Sequence, residues 1–238
     1  MSLARNVPPP PSVFGPRSAF ACFLAYLGSQ FAVGIAMVVP FASRERPVWL
    51  LPVIALVSMV VSAAVLYVCV RRLLGGPLRE RGAEIFGLSA SSLPRNAGAA
   101  LAGAGLAALS LLLAPLLLPP PETGGPLQEM ASASDLGMGV LIVIALLVAP
   151  PIEEFLFRGV LYHGLSRRLA PWLAALIVTA IFVALHVYEN RNYWPAILSI
   201  TLLAVLLIGL RIRFVSLAPP LVAHFAFNAV MIAVATRG

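Results

Sequence analysis

Apolar positions in this chain come in long unbroken runs. They show neither the alternation of a half-buried strand nor the single apolar stripe of a soluble helix. A run of about 20 apolar residues is what a helix needs to cross the hydrocarbon of a bilayer. Seven runs reach that scale: Ser18–Val39, Trp49–Val70, Ala97–Leu118, Gly137–Leu165, Pro171–Val187, Tyr193–Leu210 and Ser216–Ala235. The fourth is long and carries charges, so it counts as one span or as two pieces. The pattern predicts an all-α fold, a polytopic transmembrane helical bundle of about 7–8 spans. It divides the chain into a disordered tail over residues 1–17 with a Pro8–Pro11 run, membrane helices over 18–136, and a membrane core over 137–235. The first run exceeds a signal-peptide core and lacks an A-x-A site, so it is expected to stay as a span.

Composition makes lipid the expected solvent. Hydrophobic residues fill 61% of the 238 positions and charged residues 11%, against about 25% charged in soluble domains. A fold in water could not hide so much apolar surface. The net charge of +7 would elsewhere suggest nucleic acid. Here the cations lie in short connections between apolar runs, and no nucleic-acid partner is expected. All 16 are Arg, and their placement predicts an orientation, because cytoplasmic loops are rich in basic residues. With a cytoplasmic N-terminus, the inner segments hold Arg5, Arg17, Arg71, Arg72, Arg79, Arg81, Arg95, Arg167, Arg168, Arg211 and Arg213. The outer segments hold Arg44, Arg46, Arg191 and Arg237, and the Pro119–Leu136 loop has no Arg. Seven spans then put the C-terminus outside; an eighth would reverse it. The expected location is the cell membrane, as a multi-pass protein, the inner membrane in a bacterium. Cys22 and Cys69 lie inside apolar runs without CxxC spacing, and no disulfide is expected.

Ionisable residues at membrane depth cost about 2.5–3.5 kcal/mol each on insertion scales, which makes them functional candidates. Glu153, Glu154 and Arg158 sit in the fourth run, His186 in the fifth, and His224 with Asn228 in the seventh. His163 lies near the inner end of the fourth run, where an interfacial His is unremarkable. Glu154 and Arg158 are four apart and share a helix face, Glu first, the favoured order. They can form a structural ion pair or take part in catalysis. Glu153 is rotated about 100° from Glu154 and is free to face a cavity. Pro150 and Pro151 lack the N–H groups that would bond the carbonyls of Leu146 and Leu147. The fourth span is therefore expected to be Pro-broken, with a new helix starting near Pro150 or Pro151. Both carboxylates would then stand at a helix N-terminus, favoured by its dipole, and the broken backbone would face buried protein or water. His186 shares a face with Phe182, and His224 with Asn228; by themselves these pairs suit packing or interhelical hydrogen bonds. Counting residues from the inner ends puts Glu153, His186 and His224 at a common depth, about 8–15 residues in at 1.5 Å each. They are expected to meet in the inner half or near the midplane.

Two chemistries suit this set. Glu153 and His186 can remove the proton of a water as it attacks an amide carbon, with His224 and Asn228 donating hydrogen bonds to the oxyanion. Alternatively, Glu153, His186 and His224 can hold one zinc ion with water as the fourth ligand. Neither route needs a Ser or Cys nucleophile, and the chain contains no HExxH, GxSG or GxGD motif.

Glu153-Glu154-Phe155-Leu156-Phe157-Arg158-Gly159 fits EExxxR followed by Gly, Phe182 to His186 fits FxxxH, and His224 to Asn228 fits HxxxN. In this order, over Gly137–Val230, the three motifs resemble the CAAX-protease and bacteriocin-processing (CPBP, or Abi) family of intramembrane endopeptidases. The resemblance implies a peptidase that cuts a membrane-associated or lipid-anchored peptide or protein near its C-terminus. It gives water activation to Glu153 and His186, support of the site to Glu154 and Arg158, and the oxyanion or ligand role to His224 and Asn228. It implies near eight spans, and it leaves zinc open. Two other readings remain, an ion-coupled membrane transporter, since intramembrane Glu, Arg and His also suit a proton path, and a non-catalytic membrane scaffold. Transporters often pair broken helices in inverted repeats, and the sequence offers one broken helix.

Overall fold

A computed structural model describes residues 14–42, 47–74, 81–119, 129 and 131–236. Residues 1–13 of the expected tail, with the Pro8–Pro11 run, lie outside the described residues, as does most of the Pro119–Leu136 loop. Every regular element among the described residues is helical. In chain order they are α1 (Pro16–Val38), α2 (Leu50–Leu74), the short α3 (Gly82–Ile85), α4 (Leu93–Leu117), α5 (Asp135–Ser166), α6 (Pro171–Asn190), α7 (Trp194–Phe214) and α8 (Ala218–Ala235). All but α3 are long and apolar enough to cross a membrane, which makes seven such helices among the described residues. Large apolar side chains such as Leu24, Phe31, Leu101, Leu112 and Leu116 stay exposed along them, as expected where the solvent is hydrocarbon. The protein is a polytopic helical bundle.

The first three spans wall the core. Small residues let the backbones approach, as is usual between membrane helices. On α4, the buried Ala99, Gly103 and Ala107 lie four apart and face α8. A Cβ at Gly103 would collide with the Ala223 carbonyl. On the other flank, Ser29 of α1 bonds Ser62 of α2 at 2.9 Å, and the free thiols of Cys22 and Cys69 lie 3.4 Å apart. Gly164 at the end of α5 leaves room for Ala19 of α1. Phe14, just ahead of α1, is buried against Phe86 and His163.

The two membrane faces can be followed through contacts between helix ends. On one, Leu217 N–H donates to the Gly87 carbonyl at 2.7 Å and Ser216 Oγ to the Ser89 carbonyl at 2.8 Å. Gly87 has φ +75°, and a Cβ there would press on the Arg211 guanidinium, so the left-handed turn and the close approach both call for glycine. Arg95, at the start of α4, lies over the Phe214 ring that ends α7. On the opposite face, Tyr193 Oη donates to the Leu118 carbonyl at 3.1 Å, joining the α6–α7 turn to the end of α4.

Interruption of the fourth span takes a form that the sequence reading did not anticipate. α5 is helical throughout, but its register alternates: α over Asp135–Val143, π over Ile144–Val148, α over Ala149–Glu153, π over Glu154–Leu161, α over Tyr162–Ser166. The prolines are absorbed by wide turns, not by a gap. Glu153 and Glu154 consequently stand mid-helix, and a free helix N-terminus does not stabilise them. π turns inside α-helices occur often at functional sites.

Candidate active site

The π register creates a backbone defect that the site repairs. Ala149 N–H bonds the Ile144 carbonyl, five residues back. In the same register the next donor would be residue 150, bonding Ala145, but Pro150 has no N–H. Asn228 Nδ2 on α8 supplies the missing donor, at 2.8 Å from the Ala145 carbonyl. In this register Pro150 leaves the Ala145 carbonyl open, one residue before the Leu146 that the α register had suggested. Asn228 ties α8 to α5 and keeps its second amide hydrogen for other use.

Glu154 is the hub. It is 1% exposed and Arg158 is fully buried. Arg158 Nη1 donates to Glu154 Oε1 at 3.1 Å, and His224 Nδ1 lies 2.9 Å from the same oxygen. A carboxylate can only accept, so Nδ1 carries the proton and Nε2 points onward, 3.8 Å from Glu153 Oε2. That distance is too long for a hydrogen bond. The Arg158 guanidinium also stacks 4.5 Å from the Phe182 ring and donates to the Ala204 carbonyl. A buried pair held this way is costly to break. Arg211 Nε donates to the Arg158 carbonyl at 3.2 Å, within the second π stretch.

His186 is fixed by the same logic. Its Nδ1 lies 2.8 Å from the Phe182 carbonyl, an acceptor only, so Nδ1 holds the hydrogen and Nε2 keeps its lone pair free as a base or ligand. The Phe182 ring lies 4.5 Å from the His186 ring and 6.2 Å from that of His224. One ring thus spaces both imidazoles and carries the guanidinium.

Glu153, His186, His224 and Asn228 all line one cavity of about 550 Å³, within the usual range of ligand sites. α4 closes it with Ser110, Ala114 and Pro115, and it reaches Asn190 and Tyr193 at the α6–α7 turn. His186 stands four residues before the end of α6, so the cavity runs from mid-bundle to that turn. A separate apolar cavity of about 640 Å³ lies behind α5, lined by Leu66, Tyr67, Phe86, Pro151 and Phe155 among others; it holds none of the polar cluster. His163 sits among Phe14 and Phe86, apart from the site. Sequence reasoning missed Asn190, although it follows His186 by four on the same face and donates to its carbonyl at 2.9 Å. It also missed Tyr193, whose signal is tertiary.

The zinc alternative needs Glu153, His186 and His224 to converge. Among the described residues no three His, Cys, Asp or Glu side chains are grouped so as to hold a metal ion. His224 turns its free nitrogen toward Glu153, and the three do not form a ligand triangle in this arrangement.

Fold and site together define a polytopic membrane protein with a carboxylate–imidazole cluster facing a cavity. Residues 136–230, about two fifths of the chain, match the family model described as type II CAAX prenyl endopeptidase Rce1-like. All three motifs fall inside that stretch, so the match agrees with the resemblance that they carry, and a match to that family implies a peptidase. Neither the curated proteins nor the solved structures gave a match to this chain.

Proposed function

We propose that this protein is an intramembrane endopeptidase of the CAAX prenyl protease type, which cleaves a membrane-associated or lipid-anchored peptide or protein near its C-terminus. The observation that carries this reading is that Glu153 and a His186 whose Nε2 lone pair is free line one cavity. The Glu153 carboxylate takes a proton from water as the water oxygen bonds to the amide carbon. His186 Nε2 accepts the other hydrogen of that water and orients it. The oxyanion accepts from the second N–H of Asn228 and from His224 Nε2 when that nitrogen carries a proton. The C–N bond then breaks, the proton on Glu153 passes to the leaving amine, and the new carboxyl group passes its remaining proton to His186 Nε2, and from there to solvent, as it leaves as a carboxylate. Glu154 and Arg158 act through His224, whose tautomer they fix.

The test is cleavage by purified protein in liposomes, across prenylated CAAX peptides, leader peptides and C-terminal sorting signals. At least one class is expected to be cut. Chelation is expected to leave turnover unchanged, because the mechanism uses direct Glu153–His186 activation. Loss on chelation with recovery by stoichiometric zinc would instead assign zinc to Glu153, His186 and His224. No cleavage across the panel, with a proton flux that Glu153→Gln abolishes, would replace the protease by the transporter.

A further inference from the structure

The cavity runs to one end of the helical bundle, and most of the described arginines stand at the other. At its deep end stand Glu153, 13 residues from the end of α5 at Ser166, and Phe182, 11 residues into α6. At its other end stand Asn190 and Tyr193 in the α6–α7 turn, and Pro115, two residues from the end of α4. The Tyr193–Leu118 hydrogen bond places these ends on one face independently of any topology rule. That face carries Arg191 alone among the described arginines. Arg71, Arg72, Arg81, Arg95, Arg167, Arg168, Arg211 and Arg213 lie at helix ends or connections of the opposite face, which the Arg95–Phe214 and Ser216–Ser89 contacts join. Cytoplasmic loops carry the Arg excess.

From these we infer that the site is reached from the extracytoplasmic side, through the α6–α7 turn. Its substrate is then a peptide segment exposed on the outer leaflet, on an exported or outward-anchored chain, and not a lipidated protein of the cytoplasm. This rests on the protease reading for the word substrate, but not for the direction of access. The cavity wall is apolar apart from a few polar groups, and among the described residues Glu153 is its one carboxylate. Among the described residues no Arg lines it, so a free C-terminal carboxylate would find no guanidinium there. An uncharged stretch of chain around the scissile bond fits better.

The experiment uses the full chain with Cys22 and Cys69 replaced by Ser. Single cysteines are placed at Ala196, in the cavity wall, and at Ser92, at the start of α4. Intact cells receive a membrane-impermeant maleimide. The expected result is labelling of Ala196→Cys in intact cells and of Ser92→Cys only after permeabilisation. Labelling of Ala196→Cys only after permeabilisation, or under neither condition, would overturn the inference. A parallel arm presents an impermeant cleavable peptide to spheroplasts and to sealed inverted vesicles, with detergent-solubilised membranes as reference. Cleavage confined to spheroplasts supports outward access, and cleavage confined to inverted vesicles overturns it. Outward labelling combined with no cleavage in detergent would leave the access intact and remove the protease reading.

Discussion

Two adjacent carboxylates with different surroundings should behave differently when neutralised. Glu154 is buried and accepts from both Arg158 and His224. Glu154→Gln removes the carboxylate bonded to a guanidinium that is fully buried, and breaking such a pair costs about 3–5 kcal/mol. The variant is expected to lose folded protein and thermal stability in detergent. Glu153 approaches His224 only to 3.8 Å and faces the cavity with its side chain 15% exposed, so Glu153→Gln is expected to fold normally. Equal stabilities for the two variants would contradict this division. The division was legible in the sequence, because positions four apart and one apart on a helix differ by geometry alone. The role of Asn228 was only half legible. Spacing placed it beside His224, but its bond to the Ala145 carbonyl follows from a π register that no local pattern announces.

At the scale of elements, the decisive contacts are backbone approaches that depend on one missing methyl group. Gly103 on α4 meets the Ala223 carbonyl one residue before His224, so α4 sets the position of the helix that carries His224 and Asn228. Gly103→Val is expected to push the helices apart and destabilise by about 1–3 kcal/mol, as overpacking does. Gly105→Val, two residues away and facing open space, is expected to change little. Melting of the two variants in the same detergent checks this, and equal melting temperatures would contradict the packing argument. No local pattern couples α4 to the core, since its one signal is hydrophobicity and helix pairing is a tertiary matter. For α5 the prolines located the disturbance correctly. The expected new helix does start at Ala149, but as a change of register within a continuous helix, because π turns can absorb missing donors that a strict α register cannot.

At the scale of the whole molecule, a lipid-facing exterior encloses a polar cluster held on three helices, α5, α6 and α8, with α4 closing the cavity. A helical bundle of about 7–8 spans could be read directly from run length, because bilayer thickness dictates it, and the described residues hold seven such helices. The cavity and its direction could not, because they depend on which helix ends meet. The central claim is that Glu153 removes the proton of the attacking water. The measurement that tests it most directly is the rate of cleavage of the best peptide by Glu153→Gln relative to the unaltered protein, both folded and reconstituted in the same liposomes. A general base is worth about 10²–10⁴ in rate, and a loss of that size with substrate binding retained is the predicted result. Cleavage by Glu153→Gln at the unaltered rate would contradict the account.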